Sequence, residues 1–180
     1  IRYIIHITTD LNLARFLETA AYVLGFGIAW TFFAFAAAFP FPSKVNKKVL
    51  LLCGVLTGLA FISVVKGDLV QGVVYAAYSK SFVIGFPSLT LYNVVFCSLF
   101  VYAYFLLIQK YQSATSDSRQ TLGLVIASTS VAVIGGLIFN LIGPYFNFFA
   151  YQILGPVCTL PFTLVVSYII FLRGKVQYGF

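Results

Sequence analysis

Between Gln120 and Leu172 the chain runs for 53 residues without an Asp, Glu, Lys, Arg or His. One helix of that length would reach about 80 Å at roughly 1.5 Å per residue. A hydrocarbon core is only about 30 Å thick. The run therefore reads as two membrane spans, joined by a turn at Asn140, Gly143-Pro144 and Asn147.

The remaining chain follows the same pattern. At 61% hydrophobic and 8% charged, its 180 residues have too few polar groups to cover a water-soluble fold. Spans are expected at 17–41, 49–66, 87–109, 120–142 and 148–172, giving an all-α integral membrane bundle of five helices over 17–180. Residues 1–16 read as an external lead-in or the tail of a missing helix, because Asp10 and Arg15 interrupt the apolar stretch Ile1–Thr9. The chain has no Met, which fits a fragment or a processed form.

Basic residues set the orientation, since cytoplasmic connections retain Lys and Arg. Lys44, Lys47, Lys48, Lys110, Arg119, Arg173 and Lys175, with Asp117, give one side +6. The other side, with Arg2, Arg15, Lys66, Lys80, Asp10, Glu18 and Asp68, carries +1. This places the amino terminus outside and the carboxyl terminus in the cytoplasm. The positive charge also favours anionic headgroups. Nucleic acid is not an expected partner, because no soluble segment presents a basic stripe.

Residues 67–87 depart from the helical pattern. Val70, Val73, Val74 and Tyr75 precede the polar Ser79-Lys80-Ser81, and Phe82, Val83 and Ile84 follow it. Such β-branched and aromatic flanks predict an external two-stranded hairpin, with an interfacial helix as the competing form.

Few residues suggest chemistry. His6 is the sole histidine, and Cys53, Cys97 and Cys158 lack metal-ligand spacing, so no metal or cofactor is expected. No Lys or acid falls in the middle of an expected span, which removes the usual basis for a Schiff base or proton relay. The chain itself reads as non-enzymatic, with no catalytic residues. Ser128, Thr129, Gln152 and Thr159 are the candidate ligand-binding residues; helix packing is the alternative use of their polar groups. Gly155, Pro156 and Pro161 form a candidate signal-transmitting hinge, because each proline removes a helix donor. Gly54-x-x-x-Gly58 permits close helix approach within the chain or in a homodimer.

Several short motifs together resemble a known family. They are Thr8-Thr9-Asp10-Leu11, then Ala14-Arg15-Phe16-Leu17-Glu18-x3-Tyr22, a span closing at Phe39-Pro40, and Gly85-Phe86-Pro87 after the hairpin. Ser118-Arg119-Gln120, Asn140-x3-Pro144, Leu154-Gly155-Pro156-x2-Thr159-Leu160 and Ser167-Tyr168-Ile169-Ile170-x2-Arg173 follow. The series resembles the amino-terminal seven-helix membrane sensor region of prokaryotic histidine kinases, with helices three to seven present. The resemblance implies two preceding helices, a cytoplasmic kinase or cyclase domain in the parent chain, and a role as sensory input module for an extracellular or lipid-soluble cue. A transporter or channel component, or a structural or assembly subunit of a membrane complex, is the alternative reading.

Overall fold

The computed structural model describes residues 9–75, 80–146 and 154–169. Helix α1 (Leu11–Ala38) begins where the Asp10 side chain accepts hydrogen bonds from the amides of Asn12 and Leu13, at 2.8 and 3.2 Å. This cap satisfies donors that the first turn would otherwise leave open. It also starts the helix at residue 11, whereas the sequence reading begins the span at residue 17. The helix stops before a cis Phe39-Pro40 bond.

Helix α2 (Lys47–Lys66) is capped by Asn46, which accepts from the Lys48 amide at 3.0 Å. It ends at Gly67, whose φ of 84° is a left-handed conformation that glycine adopts without steric cost. The next stretch is the expected hairpin. Strands β1 (Val70–Tyr75) and β2 (Lys80–Ile84) pair antiparallel, with Val73 opposite Phe82 and an irregularity between Val70 and Gly72. The connecting residues 76–79 lie outside the described residues.

Helix α3 (Phe86–Ser113) and helix α4 (Ser116–Gly136) follow. The ladder of α4 loosens into a π-helical segment, Leu137–Ile142, and then a 3-10 turn, Gly143–Phe146. Pro144 supplies no amide to continue an α-helix, so this wider and then tighter winding closes the expected fourth span.

The expected fifth span, 148–172, is not one continuous helix. Among the described residues it comprises α5 (Leu154–Val157) and α6 (Leu160–Tyr168), separated by a turn at Cys158–Thr159. Pro161 occupies the first turn of α6, where its missing N–H is tolerated. In the middle of a longer helix the same residue would leave a carbonyl unbonded, and here the chain restarts instead of bending.

Four helical stretches are long and apolar enough to cross a membrane: Leu11–Ala38, Lys47–Lys66, Phe86–Ser113 and Ser118–Phe139. Packing within the chain leaves much of their apolar surface uncovered. In α2 only 17% of the apolar window is buried, and Leu51, Leu52, Val55, Leu59, Ile62 and Val65 are exposed. Lipid is the medium that can cover such a surface without a large hydrophobic penalty. The structure is compatible with an integral membrane protein.

The chain divides into two compact units, Ile1–Leu106 and Leu107–Phe180. In the first, α1 turns Ala14, Glu18, Tyr22, Gly25, Phe26, Ala29, Phe32, Phe33 and Ala36 inward. Aromatic rings fill the space between α1 and α3. Phe26 lies 4.7 Å from Tyr92 between ring centroids, and Phe32 stacks on Phe100 at 5.0 Å. Gly25 sits under the Tyr92 hydroxyl, where a Cβ would collide with it. Trp30 donates to Thr57 of α2 at 3.3 Å. In the second unit, Gly135 of α4 admits Cys158 to a space that a larger residue would close.

Gly54 and Gly58 behave differently, since a Cβ at either would meet nothing within 4 Å. Their use in close packing within the chain is therefore not observed. Replacing either with alanine is expected to raise stability by about 0.5–1 kcal/mol through reduced backbone freedom. A lower melting temperature of detergent-dispersed monomer in either variant would contradict this.

Candidate functional site

Three of the four polar candidates named from the sequence, Ser128, Thr129 and Thr159, lie among the described residues. Ser128 and Thr129 are buried in α4, but their hydroxyls donate back to their own helix. Ser128 Oγ reaches the Val125 carbonyl at 3.1 Å, and Thr129 Oγ1 reaches the same carbonyl at 2.8 Å. Ser130 does likewise with Ile126 at 2.7 Å. Such back-bonding occupies the donor that a ligand would need.

Thr159 is exposed in the turn between α5 and α6. Its carbonyl accepts from the Thr163 amide at 3.1 Å. The neighbouring Cys158 meets α4 at Gly135, six positions beyond Thr129 and so roughly 9 Å along the helix. Gln152 lies outside the described residues. Of the candidate hinge, Gly155 and Pro156 fall in α5 and Pro161 opens α6, so these residues do surround an interruption of the helical path.

A denser polar arrangement lies where the hairpin meets α1, in the first unit. Arg15 Nε donates to the Val70 carbonyl at 2.8 Å, joining one turn of α1 to the start of β1. Leu69 and Val70 have no exposure, and Phe82 of β2 is also buried. The Gly85 amide donates to the Leu69 carbonyl at 2.9 Å and closes the base of the hairpin. There Gly85 approaches the backbone carbonyl of Asp68 so closely that no side chain would fit. Ser63 of α2 and Ser88 of α3 share a hydrogen bond of 2.8 Å.

Glu18, which the sequence reading placed in the outer charge balance and in the motif Glu18-x3-Tyr22, also lies at this end. It is fully buried, three positions from Arg15 and four from Tyr22, itself buried and edge-on to Tyr92 at 5.0 Å. Helical spacing was the available signal, because Ala14, Glu18, Tyr22 and Phe26 recur every four residues on one face. Arg15 stays near the hairpin while Glu18 points inward. The arrangement holds the β-hairpin against α1 and keeps the Glu18 carboxyl group out of water.

Among the described residues no group of three or more His, Cys, Asp or Glu could hold a metal ion, and the three cysteines are unbridged. No family model, curated protein or solved structure matches the chain.

Proposed function

We propose that this chain is the membrane-embedded sensory input module of a signal-transduction protein. It receives an extracellular or lipid-soluble cue at the hairpin end of the first unit and passes the change through its last helix to a cytoplasmic kinase or cyclase domain of the parent chain. It resides in a prokaryotic plasma membrane with its amino terminus outside, the orientation favoured by the distribution of Lys and Arg. The chain itself performs no chemistry, and the resemblance to histidine-kinase membrane regions agrees with this role.

The observation that carries the reading is the fully buried Glu18, one turn from the arginine that holds the hairpin. Burying a carboxyl group is unfavourable unless its surroundings compensate for the lost water. The docked arrangement is therefore sensitive to anything that alters the charge or the neighbours of Glu18. A cue acts if it binds the docked and undocked arrangements with different affinity.

The test is a distance measurement between spin labels in the reconstituted chain. Labels at Leu24→Cys on α1 and Val83→Cys on β2 use exposed positions, with Cys53, Cys97 and Cys158 replaced by alanine. Two distance populations are expected, and Glu18→Gln shifts their ratio by about fivefold or more. One narrow distance that is unmoved by Glu18→Gln would defeat the sensory reading. Solute flux through liposomes containing the chain would favour a carrier instead.

A further inference from the structure

The turn between α3 and α4 borders an open surface cleft of about 430 Å³, lined by Tyr111, Ala114, Ser116, Arg119, Gln120 and Gly123. All six residues belong to the second unit, and none serves the hairpin site. The volume falls in the ordinary range for small-ligand pockets. The two membrane-length helices that flank it, Phe86–Ser113 and Ser118–Phe139, end and begin at this turn. In a bilayer the cleft therefore opens at the level of the headgroups.

Its walls differ in character. The Arg119 guanidinium carbon lies 4.8 Å from the centre of the Tyr111 ring, a cation–π geometry. Contact with the ring supports the long side chain, and its guanidinium remains exposed to a ligand at the surface. An arginine held in this way presents paired N–H donors that match the oxygens of a phosphate. Gln120 and Ser116 add polar groups to the lining, whereas Ala114 and Gly123 keep the space open. A Cβ at Gly123 would already touch Tyr111 at 3.5 Å, so a larger side chain there enters the cleft. Asp117 is the only acid of this connection in the sequence.

The geometry points to a binding site for the phosphodiester headgroup of an anionic membrane lipid, with Arg119 as the phosphate ligand and Tyr111 as its support. A headgroup at this place ties the ends of α3 and α4 to the membrane surface, and occupancy varies with lipid composition. This site is separate from the cue site proposed above, and it requires only that the two helices span the bilayer.

Native mass spectrometry of the full chain, released from nanodiscs of phosphatidylcholine and phosphatidylglycerol, counts the lipids that remain bound. The wild-type chain is expected to retain phosphatidylglycerol over phosphatidylcholine. Arg119→Gln should weaken that retention by about tenfold or more, as loss of a charge-assisted bond does. Gly123→Leu, which fills the cleft with the charge intact, should reduce it similarly, while Lys48→Gln should leave it unchanged. Circular dichroism identifies any variant that fails to fold, and either of the two cleft variants suffices for the test. Equal loss in Lys48→Gln would reduce the effect to general surface charge and overturn the site. Undiminished retention in a folded cleft variant would also overturn it. Displacement of the lipid by excess inorganic phosphate would reassign the cleft to a soluble phosphate and overturn the lipid assignment.

Discussion

Glu18→Lys is expected to yield no monodisperse folded protein in detergent or nanodiscs, while Glu18→Gln yields a folded chain with a lower melting temperature. The lysine would place an ammonium group where Glu18 now has no exposure. It would also set that charge three positions along the helix from Arg15. Reversing a charge inside a buried polar arrangement leaves uncompensated charge, at a cost of about 3–5 kcal/mol. That is a large fraction of the roughly 5–15 kcal/mol that keeps a domain folded. Glutamine keeps the shape and one carbonyl oxygen, so its cost is about 1–3 kcal/mol. The check is size-exclusion chromatography with thermal melting of both variants beside Lys48→Glu, which changes an exposed residue and should fold normally. A well-folded Glu18→Lys chain with an unchanged melting temperature would show that Glu18 does not sit in a closed interior.

The second large effect is expected at the base of the hairpin. Gly85→Val should cost about 3 kcal/mol or more and release the hairpin from α1. The Cβ of any residue at 85 would collide with the backbone oxygen of Asp68, and a backbone atom cannot move aside as a flexible side-chain tip can. The same residue donates its amide to Leu69 at 2.9 Å and accepts from the Leu89 amide at 2.9 Å, so a displacement disturbs both the hairpin closure and the first turn of α3. Limited proteolysis measures the release, with faster cleavage expected between Asp68 and Ile84 in the variant. Gly25→Ala provides the comparison. Its Cβ meets the hydroxyl end of the Tyr92 side chain rather than a backbone atom, so its effect should be smaller.

Much of this architecture was legible in the residues themselves. The apolar runs closing at Phe39-Pro40 and at residue 66 marked two helix ends, and the helices stop at Ala38 and Lys66. The hairpin was legible because β-branched and aromatic residues flank a short polar turn, and the strands pair over Val70–Tyr75 and Lys80–Ile84.

Other features depend on information that charge and composition do not carry. Glu18 was read as a surface charge; its burial follows from its place on the Ala14–Tyr22 face, which only helical phase reveals. Ser128 and Thr129 were read as polar groups within a span, but the sequence does not show that their hydroxyls donate to the Val125 carbonyl one turn back. Pro156 and Pro161 were read as a kink in one long span. With two donors missing five residues apart, the intervening Cys158–Thr159 forms a turn instead, and Pro161 begins the next helix.

Amide hydrogen exchange across the reconstituted chain tests most directly whether the hairpin end and the interrupted last helix act as parts of one sensory device. Glu18→Gln, a change confined to the first unit, is expected to alter exchange in the hairpin and also at Leu160–Tyr168 by about fivefold or more. A change limited to α1 and the hairpin, with exchange at Leu160–Tyr168 identical to wild type, would contradict the account.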